Sequence, residues 1–422
     1  MRLYKSAIAA LAVRGASILL GFGVTFIIAH QLGTAANGQY ALVTQTVMLL
    51  SVLAVAGTDL SLIKFLTVSK GEKHVLTNRL LGELMIFVLL ACFVIGGLLW
   101  LSRSLVWNRL FGDIVPIEWI GLLALMLLGR AGGRFISAVL RSQHYFVLGQ
   151  SIEVLVVPLV VVLYLVGGFA GDVKDVIVIN IFASIGCLLA GGLFAWTRKK
   201  AKEDTGDVSV SAIVRSGLPL LGVGITQTFT EWFAIAVAAS YLGAHETGVM
   251  RIAMQLSMVL AIIPTGLWSV FAPKMAAAYN KGDRAELGRL AKLANMTIAM
   301  VAVPLAIFIS AFAGPILNFI SSEAAGAELV VIILVVGQLI AAVMSCMGML
   351  LAMTGHEKVS FRNAMIGTVV MVASGTVFVQ LYGIMGLALA IVCTITWRQV
   401  SCMVAVVRLL RLNPYTGKQY ID

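Results

Sequence analysis

A helix needs about 20 mostly apolar residues to cross the hydrocarbon of a bilayer, and this chain offers one such stretch after another. They run at approximately 11–31, 39–63, 81–101, 117–140, 147–168, 176–197, 213–242, 247–272, 291–313, 328–353, 363–382 and 384–407. In lipid, every backbone N–H and C=O has to be paired within the spanning segment or a closed barrel. Runs of this length therefore predict an all-α integral membrane protein of about twelve transmembrane helices. Of the 422 residues, 60% are hydrophobic and 12% charged, against about 25% charged in soluble domains.

The net charge of +11 does not point to nucleic acid, because the basic residues lie in short loops between apolar runs instead of on a solvated domain. It reads as topology. Lys and Arg are retained on the cytoplasmic side. Most of the 30 basic residues fall at the N-terminus and in alternate loops, such as Lys64 to Arg79, Arg198 to Arg215 and Lys274 to Lys292, while the opposite loops hold Arg103, Arg109 and Lys174. Both termini are expected to be cytoplasmic. Arg14 interrupts the first apolar run and no cleavage site follows, so that run is expected to be a retained helix. Cys92, Cys187, Cys346, Cys393 and Cys402 all sit in apolar runs without CxxC spacing, and are expected to be small core residues.

The chain repeats itself. "AHQLGTAANG" (29–38) matches "ASYLGAHETG" (239–248) at an offset of 210 residues. Near that offset Lys5-Ser6 matches Arg215-Ser216, Lys64 matches Lys274, Arg79-Leu80 matches Arg289-Leu290, "SKG" (69–71) resembles "NKG" (280–282), and His144 pairs with His356. Six spans per copy make the repeats parallel. The expected organisation is a bundle at 1–197, a cytoplasmic linker at 198–212, and a second bundle with a short tail at 213–422.

Ionisable residues inside spans carry the functional signal, since an Arg near the bilayer centre costs about 2.5–3.5 kcal/mol even on the lenient insertion scale. Arg130, Arg134, Ser137 and Arg141 fall within about 60° of arc on one face of the fourth span. That stripe has to face protein or a water-filled cavity. Arg14, Arg251 and Arg398 lie in other spans and complete a candidate cationic cavity. Asp59, Glu153 and Glu231 are the candidate charge-balancing or ion-coupling acids. Asp59 is placed to pair with Lys64, Arg141 to reach lipid phosphate at the interface, and Glu153 to balance Arg130 or Arg134 while leaving positive charge in excess. Gly129, Gly132 and Gly133 are spaced as helix-packing positions.

No GxxxxGK[ST], HExxH, CxxC or DxD motif is present, and the short loops leave little room for an extramembrane active site. The readings these observations allow are a transporter first and a membrane enzyme a distant second; no metal or cofactor is expected, with H+ or Na+ as the coupling ion.

"RGASILLGFGVTFIIAHQLGTAANGQYALVTQTVMLLSVLAVAGTD" (14–59), with its early Arg and "LGxxxxG" turn, resembles the opening helices of the polysaccharide flippases of the multidrug/oligosaccharidyl-lipid/polysaccharide (MOP) exporter superfamily. "AVLRSQHYFVLGQ" (138–150) is similar to the family's link between spans four and five. The resemblance implies a two-bundle fold in the bacterial inner membrane that flips undecaprenyl-pyrophosphate-linked oligosaccharide outward by alternating access. It implies as partners the lipid-linked oligosaccharide, membrane lipids, and the polymerase and chain-length machinery of surface polysaccharide synthesis. The alternative within the superfamily is a proton- or sodium-coupled drug exporter. Such exporters tend to carry an acid in the first helix, where this chain has Arg14.

Overall fold

The computed structural model describes residues 2–67, 78–143, 145–197 and 210–416. Sixteen α-helices make up the described chain: α1 Arg2–Leu32, α2 Thr34–Val55, α3 Thr58–Thr67, α4 Asn78–Ser102, α5 Asn108–Phe111, α6 Ile120–Ser142, α7 Phe146–Val154, α8 Val156–Val166, α9 Val173–Thr197, α10 Val210–Met258, α11 Ile262–Asn280, α12 Arg284–Ala311, α13 Ala313–Ile320, α14 Glu328–Val343, α15 Ser345–Met353 and α16 Glu357–Leu410. Nine helical stretches among the described residues are long and apolar enough to cross a membrane, or ten if α7 and α8 count as one bent span. Two of these run 45 and 54 residues, more than twice the length of one crossing. Each is divided by a glycine outside helical geometry, Gly243 (φ 89°) and Gly383 (φ 58°). Allowing two crossings for each brings the total to the twelve apolar runs of the sequence.

Between residues 1 and 197, two spans expected to be continuous are broken, each for a local reason. The run at 39–63 is split into α2 and α3 by Ala56 (φ 51°) and Gly57 (φ 73°), both left-handed. The run at 147–168 bends by 46° between α7 and α8. Pro158 explains the bend, because it has no N–H for the carbonyl of Val154 and its ring clashes there.

By contact, the chain forms two compact units, Met1–Gly248 and Val249–Asp422. The first is built round α6, which packs against α2, α3, α4, α7 and α9. Its Leu123, Met126, Leu127, Phe135, Ile136 and Leu140 are almost wholly buried. In contrast α4 carries exposed Ile86, Leu90, Phe93, Leu98 and Leu101, as a lipid-facing helix would. These units are not the sequence halves 1–197 and 213–422, because residues 213–242 pack on the first unit. Trp232 Nε1 donates to Thr46 Oγ1 at 3.1 Å, and Ser61 Oγ donates to the Ile213 carbonyl at 2.9 Å. Residues 198–209 of the expected linker, and His144, lie outside the described residues.

The matched turns of the sequence repeat have the same backbone. Gly33 (φ 91°, ψ 167°) and Gly243 (φ 89°, ψ −179°) break their helices alike. The two turns also dock on each other. A Cβ on Gly38 would strike the Ala244 carbonyl, and one on Gly248 would strike the Thr34 carbonyl. Residues 34 and 244 correspond at the repeat offset, as do 38 and 248, so the contact is reciprocal. Thr34 Oγ1 lies 2.6 Å from His245 Nδ1 and Asn37 Nδ2 donates to the Gly248 carbonyl at 3.2 Å.

The second unit has a core of Met275, Leu287, Ala291, Met347, Leu350 and Val406, from α11, α12, α15 and α16. The chain after α16 folds back onto it through a left-handed Arg411 (φ 50°). Asn295 Nδ2 donates to the Pro414 carbonyl at 3.1 Å. Of the five cysteines, four are buried as expected, whereas Cys393 is exposed on α16.

The close approach at the matched turns predicts that Gly38→Val and Gly248→Val each destabilise the protein by about 1–3 kcal/mol, seen as a lower unfolding temperature in detergent. Gly82→Ala, whose added Cβ meets nothing within 4 Å, is expected to leave that temperature unchanged or raise it.

Candidate functional site

The charged face of α6 is enclosed by protein, and each of its three arginines has a different partner. Arg130 lies ten residues after Ile120 and twelve before Ser142, near the middle of the helix. Arg134 and Arg141 follow at about 6 Å and 16 Å further along the axis. The close approach of α9 requires Gly129, where a Cβ would come 2.8 Å from Ser184 Cβ and 3.0 Å from the Ile185 nitrogen. Gly132 is likewise a packing position, against Leu188. Gly133 is not, since a Cβ there meets nothing within 4 Å.

Arg134 Nε donates to Asp59 Oδ2 at 2.8 Å, and the two side chains are 19% and 5% exposed. Among the described side chains, the carboxylate of Asp59 is held by Arg134 of α6. The break at Ala56–Gly57 accounts for this, because α3 starts afresh at Thr58 and places Asp59 in its first turn, facing α6. The Asp59 carboxylate also accepts from the Leu60 N–H at 2.9 Å. The side chain of Lys64 lies outside the described residues.

Arg141 Nη2 lies 3.0 Å from Glu153 Oε2, which also accepts from Ser137 Oγ at 2.8 Å. The lipid-phosphate role expected of Arg141 is thus replaced by an ion pair, and Glu153 balances Arg141 instead of Arg130 or Arg134. Gly149 lets α7 approach closely enough, with the Ser137 carbonyl 2.7 Å from where its Cβ would be.

Arg130 is different. Its Nη2 donates to Asn180 Oδ1 at 3.2 Å, and among the described residues it has no carboxylate partner. Asn180, 1% exposed, donates through Nδ2 to the Tyr40 hydroxyl at 2.7 Å. Ser184 Oγ donates to Asn180 Oδ1 at 3.4 Å. Arg130, Gly133, Arg134, Glu153, Ser184 and Cys187 line a cleft of about 10 Å³, room for about one water molecule.

The other candidates lie on other helices. Arg14 is exposed on α1, eighteen residues before its end at Leu32 and so about 27 Å from it along the axis. That distance approaches the thickness of the hydrocarbon, about 30 Å, and puts Arg14 near one face of the membrane instead of at its centre. Arg251 and Arg398 are half-buried in the second unit. Glu231 accepts from Gln227 Nε2 at 3.5 Å, one turn earlier on α10. Tyr40, Asn180 and Ser184 were not among the expected site residues. Asn180 and Ser184 are the polar side chains one turn apart in the apolar body of α9, a spacing that marks a buried polar face.

The polysaccharide biosynthesis protein family matches residues 3–279. The chain belongs to that family. The MatE family matches residues 219–378, overlapping the first match and extending beyond it. A comparison with curated proteins gives no match. Among solved structures, an inward-facing multidrug resistance MATE family transporter of the MOP superfamily is 17% identical, with a TM-score of 0.69 over 95% of this chain and 97% of that one. The lipid II flippase MurJ in an inward closed conformation is 12% identical, with a TM-score of 0.68 over 94% and 87%. The MATE multidrug transporter DinF-BH is 14% identical, with a TM-score of 0.65 over 99% and 96%. This polysaccharide biosynthesis protein is therefore a multi-pass membrane protein of the MOP exporter superfamily, in the class of transporters and flippases.

The Asp59–Arg134 pair is largely buried, so removing one partner strands the other charge. Arg134→Met is expected to cost about 3 kcal/mol. The double substitution Asp59→Asn/Arg134→Met is expected to cost less than the two single changes together. Thermal unfolding of the four proteins in detergent checks this, and additive losses would show that the pair is not coupled.

Proposed function

We propose that this protein is a flippase for lipid-linked oligosaccharide, and that it takes the lipid's phosphate headgroup from the cytoplasmic leaflet to the outer leaflet of a bacterial inner membrane. The observation that carries the reading is Arg130, a guanidinium near mid-span held by a neutral amide instead of a carboxylate. A cation in that position is costly to keep, and its positive charge is not cancelled by the described side chains around it. Arginine suits phosphate because its planar fork presents several N–H donors to the oxygens at once. The polysaccharide biosynthesis family match over residues 3–279 supports the same substrate class.

Arg134 and Arg141, already bound to Asp59 and Glu153, serve mainly to hold the site together. In this reading Arg14, near one membrane face, attracts the anionic headgroup before it reaches the centre, while Arg251 and Arg398 are the second unit's own candidates for contact with the anion. Transport proceeds by alternating access, as in repeat-built transporters generally. Coupling to H+ or Na+ falls to the carboxylates Glu231, Asp59 and Glu153.

A second reading, a cation-coupled drug exporter, is favoured by the MatE match over residues 219–378. Its substrate would be cationic, and Arg130 would repel it.

The test is translocation of a pyrophosphate-linked oligosaccharide lipid in proteoliposomes containing the purified protein alone. Arg130→Ala is expected to lower the rate by about tenfold or more, the loss of one charge-assisted hydrogen-bonded contact, with the amount of folded protein unchanged. Full activity of Arg130→Ala would remove Arg130 from the substrate path. Export of a cationic dye with no lipid flipping would favour the exporter.

A further inference from the structure

We infer that Asn180 and Tyr40 are positioning residues that determine specificity for anionic ligands, by holding Arg130 on an uncharged acceptor that leaves its charge uncancelled. The inference rests on the flippase reading and adds to it the groups that make Arg130 a phosphate-binding residue while Arg134, one turn away, is not one.

The geometry separates the two arginines by the chemistry of their partners. Arg134 faces a carboxylate at 2.8 Å, and an anion approaching it meets Asp59 as well. Arg130 faces a carbonyl oxygen of an amide at 3.2 Å. An amide oxygen fixes the guanidinium without adding negative charge, and the carboxylate in the cleft lining, Glu153, is already paired with Arg141, so the charge of Arg130 is left over.

Asn180 can do this only in one orientation. Its amide has an acceptor end and a donor end, and a flip would turn an NH2 group towards Arg130. Arg130, which can only donate, requires Oδ1 on its side, and the Tyr40 hydroxyl completes the arrangement by accepting from Asn180 Nδ2 at 2.7 Å. Ser184 Oγ donates to the Asn180 backbone carbonyl at 2.7 Å, with Oδ1 a longer second acceptor at 3.4 Å. Asn180 and Tyr40 are 1% and 8% exposed, so water does not compete readily for these bonds. The guanidinium and Gly133, three residues apart on α6, both line the cleft, and the glycine's missing side chain adds no bulk there. The space admits one phosphate oxygen, with the rest of the headgroup outside it.

Asn180→Asp separates this role from a structural one, because it keeps the shape and places a carboxylate against Arg130. As a merely structural contact it would be preserved or strengthened. As a device for anion binding it would be disabled. The experiment measures binding of geranylgeranyl pyrophosphate, the neutral geranylgeraniol and inorganic pyrophosphate to the full chain in lipid nanodiscs, alongside its unfolding temperature.

Wild type is expected to prefer the prenyl pyrophosphate over the prenol by about tenfold or more, and Asn180→Asp to erase that preference without lowering the unfolding temperature. Tyr40→Phe is expected to weaken pyrophosphate binding by about threefold while leaving prenol binding unchanged. A wild type with no preference for the pyrophosphate would overturn the flippase reading itself. Inorganic pyrophosphate binding as tightly as the prenyl form would also overturn it, by assigning the site to a soluble anion. A preference that persists in Asn180→Asp would overturn the positioning role alone.

Discussion

Three guanidinium groups on one face of a membrane helix impose a requirement that the first unit is built to meet. Each must be taken away from hydrocarbon and given a hydrogen-bond acceptor, at a cost that falls on the surrounding helices. Helix α6 is accordingly central, with α2, α3, α4, α7 and α9 packed round it. The two irregular spans fall where acceptors are needed. The left-handed break at Ala56–Gly57 comes two residues before Asp59, and the bend at Leu155 comes two residues after Glu153. A straight helix projects its side chains at fixed angular intervals. A broken one can aim a carboxylate at a partner that the regular spacing would miss, and discontinuous helices serve ion and substrate sites in transporters in just this way.

The fold was legible in the sequence because its main determinants are local. Apolar length gives the spans, and the recurring Leu-Gly pair gives the matched turns at Gly33 and Gly243. The pairing of charges was not legible in the same way. Asp59 and Arg134 are 75 residues apart in sequence, and they are brought together by a backbone break that depends on an alanine adopting a left-handed conformation. Periodicity correctly put Arg130, Arg134 and Arg141 on one face, yet it could not show that three different helices would answer them. Asn180 was overlooked because an amide carries no charge to mark it, although Ser184 one turn later gave the polar spacing. Pro158 was visible as a residue, and its consequence, a bend that ends α7 beside Glu153, followed from the missing N–H.

The matched turns show what duplication does to packing. Two copies of the same motif that meet can satisfy each other through a single kind of contact, as in an isologous dimer. Here the carbonyl of the residue after each turn glycine lies over the glycine four positions further along the other copy. Such an approach allows Cα–H···O contacts and excludes any side chain at Gly38 or Gly248. The second "G" of LGxxxxG is therefore explained by the partner copy rather than by its own helix, which would accept alanine more readily than glycine.

A transport site has to hold its ligand firmly enough to select it and loosely enough to let it go. Neutralising every buried cation with a carboxylate would give a stable bundle with nothing to offer an anion. Leaving every one bare would make the ligand-free protein too costly to keep in a membrane. The α6 face does neither. Two arginines are committed to ion pairs that hold α3 and α7 in place, and the third rests on an amide that satisfies one of its donors. Because the Asn180 acceptor is uncharged and 3.2 Å away, giving it up for a phosphate oxygen costs less than breaking the 2.8 Å ion pair at Arg134. The amide remains to receive the guanidinium when the ligand leaves, so the same side chain is tolerable in the empty protein and attractive to an anion.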